Sequence, residues 1–171
     1  MKDEHDKGVL AGLRELVGQV EQDLYKAKPK YMDAFFFPDL KNVNRLCSYI
    51  SKARRSLKIC VFNLTNDDIA QAIMERWKAN VDVQIISDDE CVKNKGSDIE
   101  YLAGQGIPVR TDDNPQYHMH NKFMIVDDAF VMTGSFNWTF QAGKSNQENI
   151  LIVDHPYFIE KYTTEFSKLW C

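Results

Sequence analysis

The stretch HMHNKFMIVDDAFVMTGSFNW, residues 118–138, decides the fold. Two short apolar runs, 123–126 and 130–132, flank the polar pair Asp127-Asp128. Apolar segments of strand length around a two-residue polar turn predict an antiparallel hairpin. Outward from it, helix-like and strand-like segments alternate. Upstream, 56–64 (SLKICVFNL) reads as a buried strand and 81–87 (VDVQIIS) as an alternating one. Between them Thr65 is placed to cap a helix bearing Ile69, Ala72, Ile73 and Trp77, with Asp67 and Asp68 in its first turn, where the helix dipole favours acids. A short helix is expected over 98–104 and a short strand over 107–110, after Gly106. Farther upstream, the aromatic-rich 31–37 is a strand closed by Pro38. A helix capped by Asn42 or Asn44 then runs to about Ala53, with Leu46, Cys47 and Ile50 inward. Downstream, 150–153 is a strand and 157–170 a closing helix. This order predicts a layered α/β domain. The hairpin makes its β-sheet mixed, with helices flanking it.

Residues 9–26 carry Leu10, Leu13, Leu16, Val17, Val20 and Leu24 at helical spacing, and Pro29 ends that amphipathic helix. The expected organisation is therefore a helix and linker over 1–30 and one main domain over 31–171. The chain has 171 residues, 44% hydrophobic and 27% charged, which excludes a wholly disordered or collagen-like polypeptide. Its formal net charge is −4, so any site for nucleic acid or anionic lipid must be a local cationic patch working against the global field. Cys47, Cys60, Cys91 and Cys171 are irregularly spaced and read as free thiols in a reducing compartment. No apolar run is long enough to span a membrane, and the charged start MKDEHDKG lacks a signal peptide's apolar core. An anchor, if the natural protein has one, is expected to lie outside these residues. No internal repeat is visible.

The reactive side chains concentrate where the hairpin does. They follow the pattern H-x-K-x4-D-x6-G-S-x-N, from His120 to Asn137, which chance produces on the order of once in 10^5–10^6 such chains. His120 and Lys122 are two apart at a strand entry, so both project to one face. An imidazole beside an ammonium suits an anionic phosphodiester: the nitrogen attacks phosphorus, and the cation binds phosphate oxygens. Gly134 allows close backbone approach to a ligand, while Ser135 and Asn137 offer donors to the same phosphate. This chemistry calls for no metal and no cofactor, and no carboxylate cluster suggests a two-metal site. Asp127 is an odd number of residues from His120 and begins the turn, so a supporting role is expected for it. His118 stands beside the motif as a groove-lining, substrate-binding candidate.

A histidine route has two stages. One imidazole bonds to phosphorus, while a second protonates the leaving oxygen and then activates water. With one motif per chain, the second imidazole must come from another copy, so a homodimer is expected.

The pattern resembles the HKD signature of the phospholipase D superfamily. The sequences YHMHNKFMIVDD (117–128), TGSFNWT (133–139) and NQENILIV (146–153) are similar to the Zucchini and mitochondrial cardiolipin hydrolase branch, and more distantly to small bacterial endonucleases. That resemblance implies a phospholipase D-like fold and a catalytic set of His120, Lys122, Asp127 and Glu148, with Asp127 mainly structural. Glu148, 28 residues beyond His120, occupies the place of the glutamate that holds the nucleophilic ring in the family. The branch often carries a zinc-binding insertion. Only Cys47 and Cys60 stand in that region here, with no histidine nearby, so zinc is not expected. The branch also implies a possible place on the mitochondrial outer membrane, facing the cytosol.

Other features have plainer readings. His5 and His155 read as ordinary surface or hydrogen-bonded histidines, the latter beginning the last helix before Pro156. Phe136, Trp138 and Phe140 read as core, with a stacking wall as the alternative. Lys52, Arg54, Arg55 and Lys58 read as a solvated junction, with a phosphate or headgroup rim as the alternative, and Lys93 and Lys95 allow the same pair of readings. The leading expectation is an endonuclease on single-stranded RNA or DNA, since no basic amphipathic helix lies near the motif. The alternatives are hydrolysis of cardiolipin, an anionic phospholipid, to phosphatidic acid, and a catalytically idle member that binds nucleic acid or protein. The last is disfavoured by the intact His120, Lys122 and Asn137.

Overall fold

The computed structural model describes residues 2–26, 29–92, 96–112 and 116–171. Lys93, Lys95 and the side chain of His5 lie outside that description. The chain divides into two compact units, Met1–Lys30 and Tyr31–Cys171.

The first unit is the helix α1 (Lys2–Lys26). It begins well ahead of the predicted Val9, because apolar periodicity detects only the amphipathic part of a helix whose first turns are charged. Val9, Leu10, Leu13, Leu16, Val17 and Val20 are each more than half exposed.

The second unit alternates strands and helices. It runs through β1 (Met32–Phe37), α2 (Leu40–Ile50), β2 (Ser56–Val61), β3 (Leu64–Thr65), α3 (Asp67–Lys78), β4 (Asp82–Ser87), α4 (Asp89–Val92) and α5 (Asp98–Gly104). It continues through β5 (Val109–Thr111), β6 (Lys122–Val126), β7 (Phe130–Gly134), β8 (Trp138–Thr139), α6 (Phe140–Ser145), β9 (Glu148–Val153) and α7 (Pro156–Trp170). Seven strands form one sheet in the order β1-β9-β7-β6-β2-β4-β5. β2, β4 and β5 run parallel, and the remaining neighbours are antiparallel. The expected mixed sheet is present, and the β6–β7 hairpin turns at Asp127 and Asp128, both at positive φ (55° and 52°).

Several boundaries differ from the sequence reading for local reasons. The single strand expected over 56–64 breaks after Val61. The Phe62 N–H leaves the ladder for the Asn121 carbonyl (3.0 Å), and the Asn63 carbonyl accepts from the Trp138 N–H (3.0 Å), which starts the small β3–β8 pair. α2 starts at Leu40, capped by Asp39 rather than by Asn42 or Asn44: the Asp39 carboxylate accepts from the Lys41 N–H at 2.9 Å. Asn66, one residue past Thr65, caps α3 by accepting from the N–H groups of Asp68 and Ile69 (3.1 and 3.2 Å). The short helices α4 and α6 were not anticipated, being too brief to show an apolar period.

Strand alternation sends side chains to two buried layers. On one side Phe35 and Phe37 of β1, with Leu57, Ile59 and Val61 of β2, pack with Leu46 and Ile50 of α2 and Ile69 and Ile73 of α3. On the other, Cys60, Ile86, Phe123, Ile125 and Val131 receive Phe166 of α7.

Candidate active site

The topology alone gathers the motif. β2 and β4 are parallel, so their C-terminal ends share one end of the sheet. β6 is antiparallel to β2, so it starts there. β7 returns to that end, and β9 departs from it. Phe62 after β2, Asp88 after β4, His120 and Lys122 at the start of β6, Ser135 after β7 and Glu148 at the start of β9 therefore all lie along one rim. Outside the carboxyl ends of parallel strands is where open α/β sheets usually bind ligands.

His120 and Lys122 meet at Phe62. The His120 ring lies 4.5 Å from the Phe62 ring centroid, and the Lys122 Nζ lies 5.0 Å over the same ring. Lys122 is 8% exposed and donates to the His120 carbonyl at 2.6 Å, which ties the two motif residues together. Burial lowers the His120 pKa below the usual imidazole value, and the neighbouring Lys122 and His118 add to the effect. The ring is therefore neutral at neutral pH, with a nitrogen lone pair available. Burial likewise lowers the Lys122 pKa, and the Glu148 carboxylate pulls the other way.

Ser135 and Glu148 form the second half of the site. The Ser135 hydroxyl donates to Glu148 Oε2 and accepts from the Asn149 N–H (3.1 Å), while Asn146 Nδ2 donates to Glu148 Oε1 at 3.2 Å. The resemblance gives Glu148 the task of holding the His120 ring. Here its carboxylate is engaged by Ser135 and Asn146, and among the described residues none hydrogen-bonds the His120 ring. β9 opens directly beside the end of β7, which brings Glu148 to Ser135 first.

Gly134 has a backbone reason. A Cβ there would stand 2.0 Å from the Asn149 carbonyl oxygen, so the close approach it permits is to β9 rather than to a ligand. The side-chain oxygen of Asn137 is buried without a hydrogen-bond partner among the described residues. A cavity of about 400 Å³ lined by Phe36, Phe37, Ser135, Gln147, Glu148 and Asn149 opens at this side of the rim.

Asp127 is at the opposite end of β6. Its carboxylate accepts from the backbone N–H groups of Arg54 (3.0 Å), Arg55 (2.7 Å) and Ser56 (2.9 Å). Burial alone would raise its pKa, but these donors lower it overall. It ties the hairpin turn to the start of β2 and stands away from the rim because it lies past the far end of β6, a separation along the strand rather than the change of face that its odd offset predicts. The basic run sits at that same far end, where Lys58 pairs with Asp128 at 3.2 Å. It is a junction.

Phe136 and Trp138 are core, Phe136 stacking on Phe37 at 4.0 Å, whereas Phe140 is 55% exposed and corrects that part of the reading. His155 caps α7 by accepting from the Tyr157 N–H (3.2 Å). The cysteines are free, and burial raises the Cys60 thiol pKa to about 12. Sequence reasoning missed Phe62 and Asp88. Each is the residue at which an apolar strand run gives way to polar chain at its C-terminal end, and that position was the available signal.

Comparison with known proteins agrees with the fold. Residues 46–170 match the family described as cardiolipin synthase, PLD-like domain. Proteins named mitochondrial cardiolipin hydrolase are 42% identical over 129 residues in Chlamydomonas reinhardtii and 36% over 128 residues in Homo sapiens. Each match covers 75% of this chain, but only 57% and 50% of those proteins, so the chain spans about half the length of these relatives. The crystal structure of Nuc from Salmonella typhimurium, a phospholipase D family member, superposes with a TM-score of 0.75 at 30% identity, covering 84% of this chain and 95% of that one. NucT from Helicobacter pylori gives 0.72 at 33% identity, covering 82% and 96%. Fold, motif and relatives together define a phospholipase D-type protein with a single HKD motif. The chain belongs to the PLD-like domain family of the phospholipase D superfamily.

Proposed function

We propose that the chain is a phosphodiesterase that works through a phosphohistidine intermediate, without a metal, as an endonuclease on single-stranded RNA or DNA. One observation carries the reading: a neutral His120 and a buried Lys122 share the Phe62 wall on the same rim as Ser135 and Glu148. His120 in its neutral form bonds to phosphorus as the bond to the leaving oxygen breaks, and that oxygen takes a proton from the partner's His120, which enters the step as imidazolium, its positive charge facing the anionic phosphate bound between the two rings. The same partner ring then removes a proton from water, which displaces His120 and releases the phosphate product. Lys122, with hydroxyl and amide donors from Ser135 and Asn137, stabilises the charge on the non-bridging oxygens. Glu148 orients the site through Ser135. A homodimer supplies the second imidazole.

Support for the nuclease comes from the likeness to Nuc and NucT over nearly their whole chains, and from Phe36, 67% exposed beside the cavity, which offers a face for a stacked base. A second reading, cardiolipin hydrolysis to phosphatidic acid, is favoured by the exposed apolar face that Met32, Phe36 and Leu151 share on β1 and β9, and by the relatives' name. That name also motivates a mitochondrial location. None of the described helices is long and apolar enough to cross a membrane.

The test compares labelled single-stranded RNA, single-stranded DNA, duplex DNA and cardiolipin vesicles, with and without chelator. Chelator-resistant cleavage of single strands, abolished in His120→Ala, is expected. Release of phosphatidic acid with intact strands selects the second reading, and cleavage that needs a divalent ion removes the metal-free route.

A further inference from the structure

His118 has a hydrogen-bonding arrangement that this route leaves unused. Its Nδ1 lies 3.0 Å from Oδ2 of Asp88, which is wholly buried. The other oxygen, Oδ1, accepts from the N–H groups of Glu90 and Cys91 (3.1 and 3.3 Å) at the start of α4. Helix capping accounts for Oδ1 alone, whereas Oδ2 faces the imidazole. The loop is pinned as well: the Met119 N–H donates to Asp112 Oδ2 (3.0 Å), and Asp112 Oδ1 accepts from the Asp89 N–H (3.2 Å). With Nδ1 committed to a carboxylate, Nε2 is the nitrogen left to act outward. The side chain is 53% exposed. The His118 and His120 rings also pack on one aromatic wall, with centroids 5.7 and 4.5 Å from that of Phe62.

We infer that His118, oriented by Asp88, binds a second phosphate of the substrate, the one adjacent to the scissile diester on the same strand. The inference rests on the nuclease reading and names what the strand meets beside the reacting centre. The ring then bridges two acceptors: its Nδ1 faces the buried Asp88 carboxylate, and its Nε2–H donates a hydrogen bond to a non-bridging oxygen of that neighbouring phosphate. No bond to phosphorus forms at His118. A diester with no neighbouring phosphate cannot use the contact, so its benefit is confined to longer strands and falls on binding more than on turnover.

The experiment measures kcat and KM for His118→Ala and Asp88→Asn on a single-stranded dodecanucleotide and on bis(p-nitrophenyl) phosphate, which has one phosphorus. It also measures dodecanucleotide binding to His120→Ala, with and without His118→Ala, over a range of salt. In His118→Ala the oligonucleotide KM is expected to rise about tenfold more than the KM for the small diester. Its kcat should fall far less than its KM rises, and the slope of log affinity against log salt should flatten by about 0.7, one phosphate contact on a single strand. Asp88→Asn should give a smaller shift in the same direction. Equal KM changes on the two substrates, or an unchanged salt slope, would overturn the inference, because a merely structural ring would behave so. His118 is half exposed, so its replacement is not expected to prevent folding. A wild-type protein that hydrolyses the small diester but neither binds nor cuts the oligonucleotide overturns the nuclease reading itself, and the second-phosphate contact with it.

Discussion

At the scale of single residues, His120 is set apart by its depressed basicity, which comes from burial first and from Lys122 and His118 second. A lowered folded-state pKa keeps the ring unprotonated to lower pH than a free imidazole. The acid limb of kcat/KM should therefore fall below pH 6.5, the ordinary value. Titration of the His120 ring by NMR should place its midpoint below 6.5 in the wild type and closer to 6.5 in Lys122→Met, where one neighbouring cation is gone. A midpoint at or above 6.5 in the wild type would contradict the neutral nucleophile. Gly134 makes a sharper demand. In Gly134→Ala the new methyl meets the Asn149 carbonyl, so β9 must shift and take Glu148 away from Ser135. A destabilisation of about 1–3 kcal/mol in denaturant titration, with a fall in turnover larger than the loss of folded protein explains, is expected.

Among the elements, the hairpin was legible because its apolar runs and polar turn are local, and so were the helices α3, α5 and α7, although the α3 cap falls on Asn66 rather than on the expected Thr65. β3 and β8 were not, since two residues carry no period and their pairing is fixed by a distant partner. The motif residues could be named from sequence, and the turn position of Asp127 was visible there too, whereas its separation from His120 comes from the length of β6 between them. The partners of Glu148 and the wall supplied by Phe62 depend on which strand ends adjoin, and no local pattern encodes that. The Asp127 turn tests the division of labour between the two ends of β6. Asp127→Asn should cost about 1–2 kcal/mol through its weakened hold on three backbone N–H groups, while turnover per folded molecule falls far less than in His120→Ala. Its pKa is lowered in the folded state from 3.8, so this stabilisation is present above about pH 4 and is lost as pH falls through the folded value. Urea midpoints of the two proteins should therefore converge in acid.

The whole molecule is where one motif per chain matters. If each site uses two copies of His120, a mixed dimer with one His120→Ala subunit is inactive. Total activity after subunit exchange should then follow the square of the wild-type fraction. A threefold excess of the variant would lower activity per wild-type chain to about a quarter. Activity strictly proportional to the wild-type fraction, measured on an exchanged sample, would show that a single chain suffices.

The reversal of direction at β6 has a practical corollary. Because His120 and Lys122 stand at one end of β6, the connection at Asp127-Asp128, at the other end, is remote from them. A fluorophore attached at that tip, or a short peptide spliced in after Asp128, would report on the protein's tumbling and partnership while leaving strand entry unobstructed. Changes in what the protein accepts would instead be sought in the chain beside Phe62, Asp88 and Phe36, where a few substitutions can reshape the mouth without touching the turn that fastens the far side.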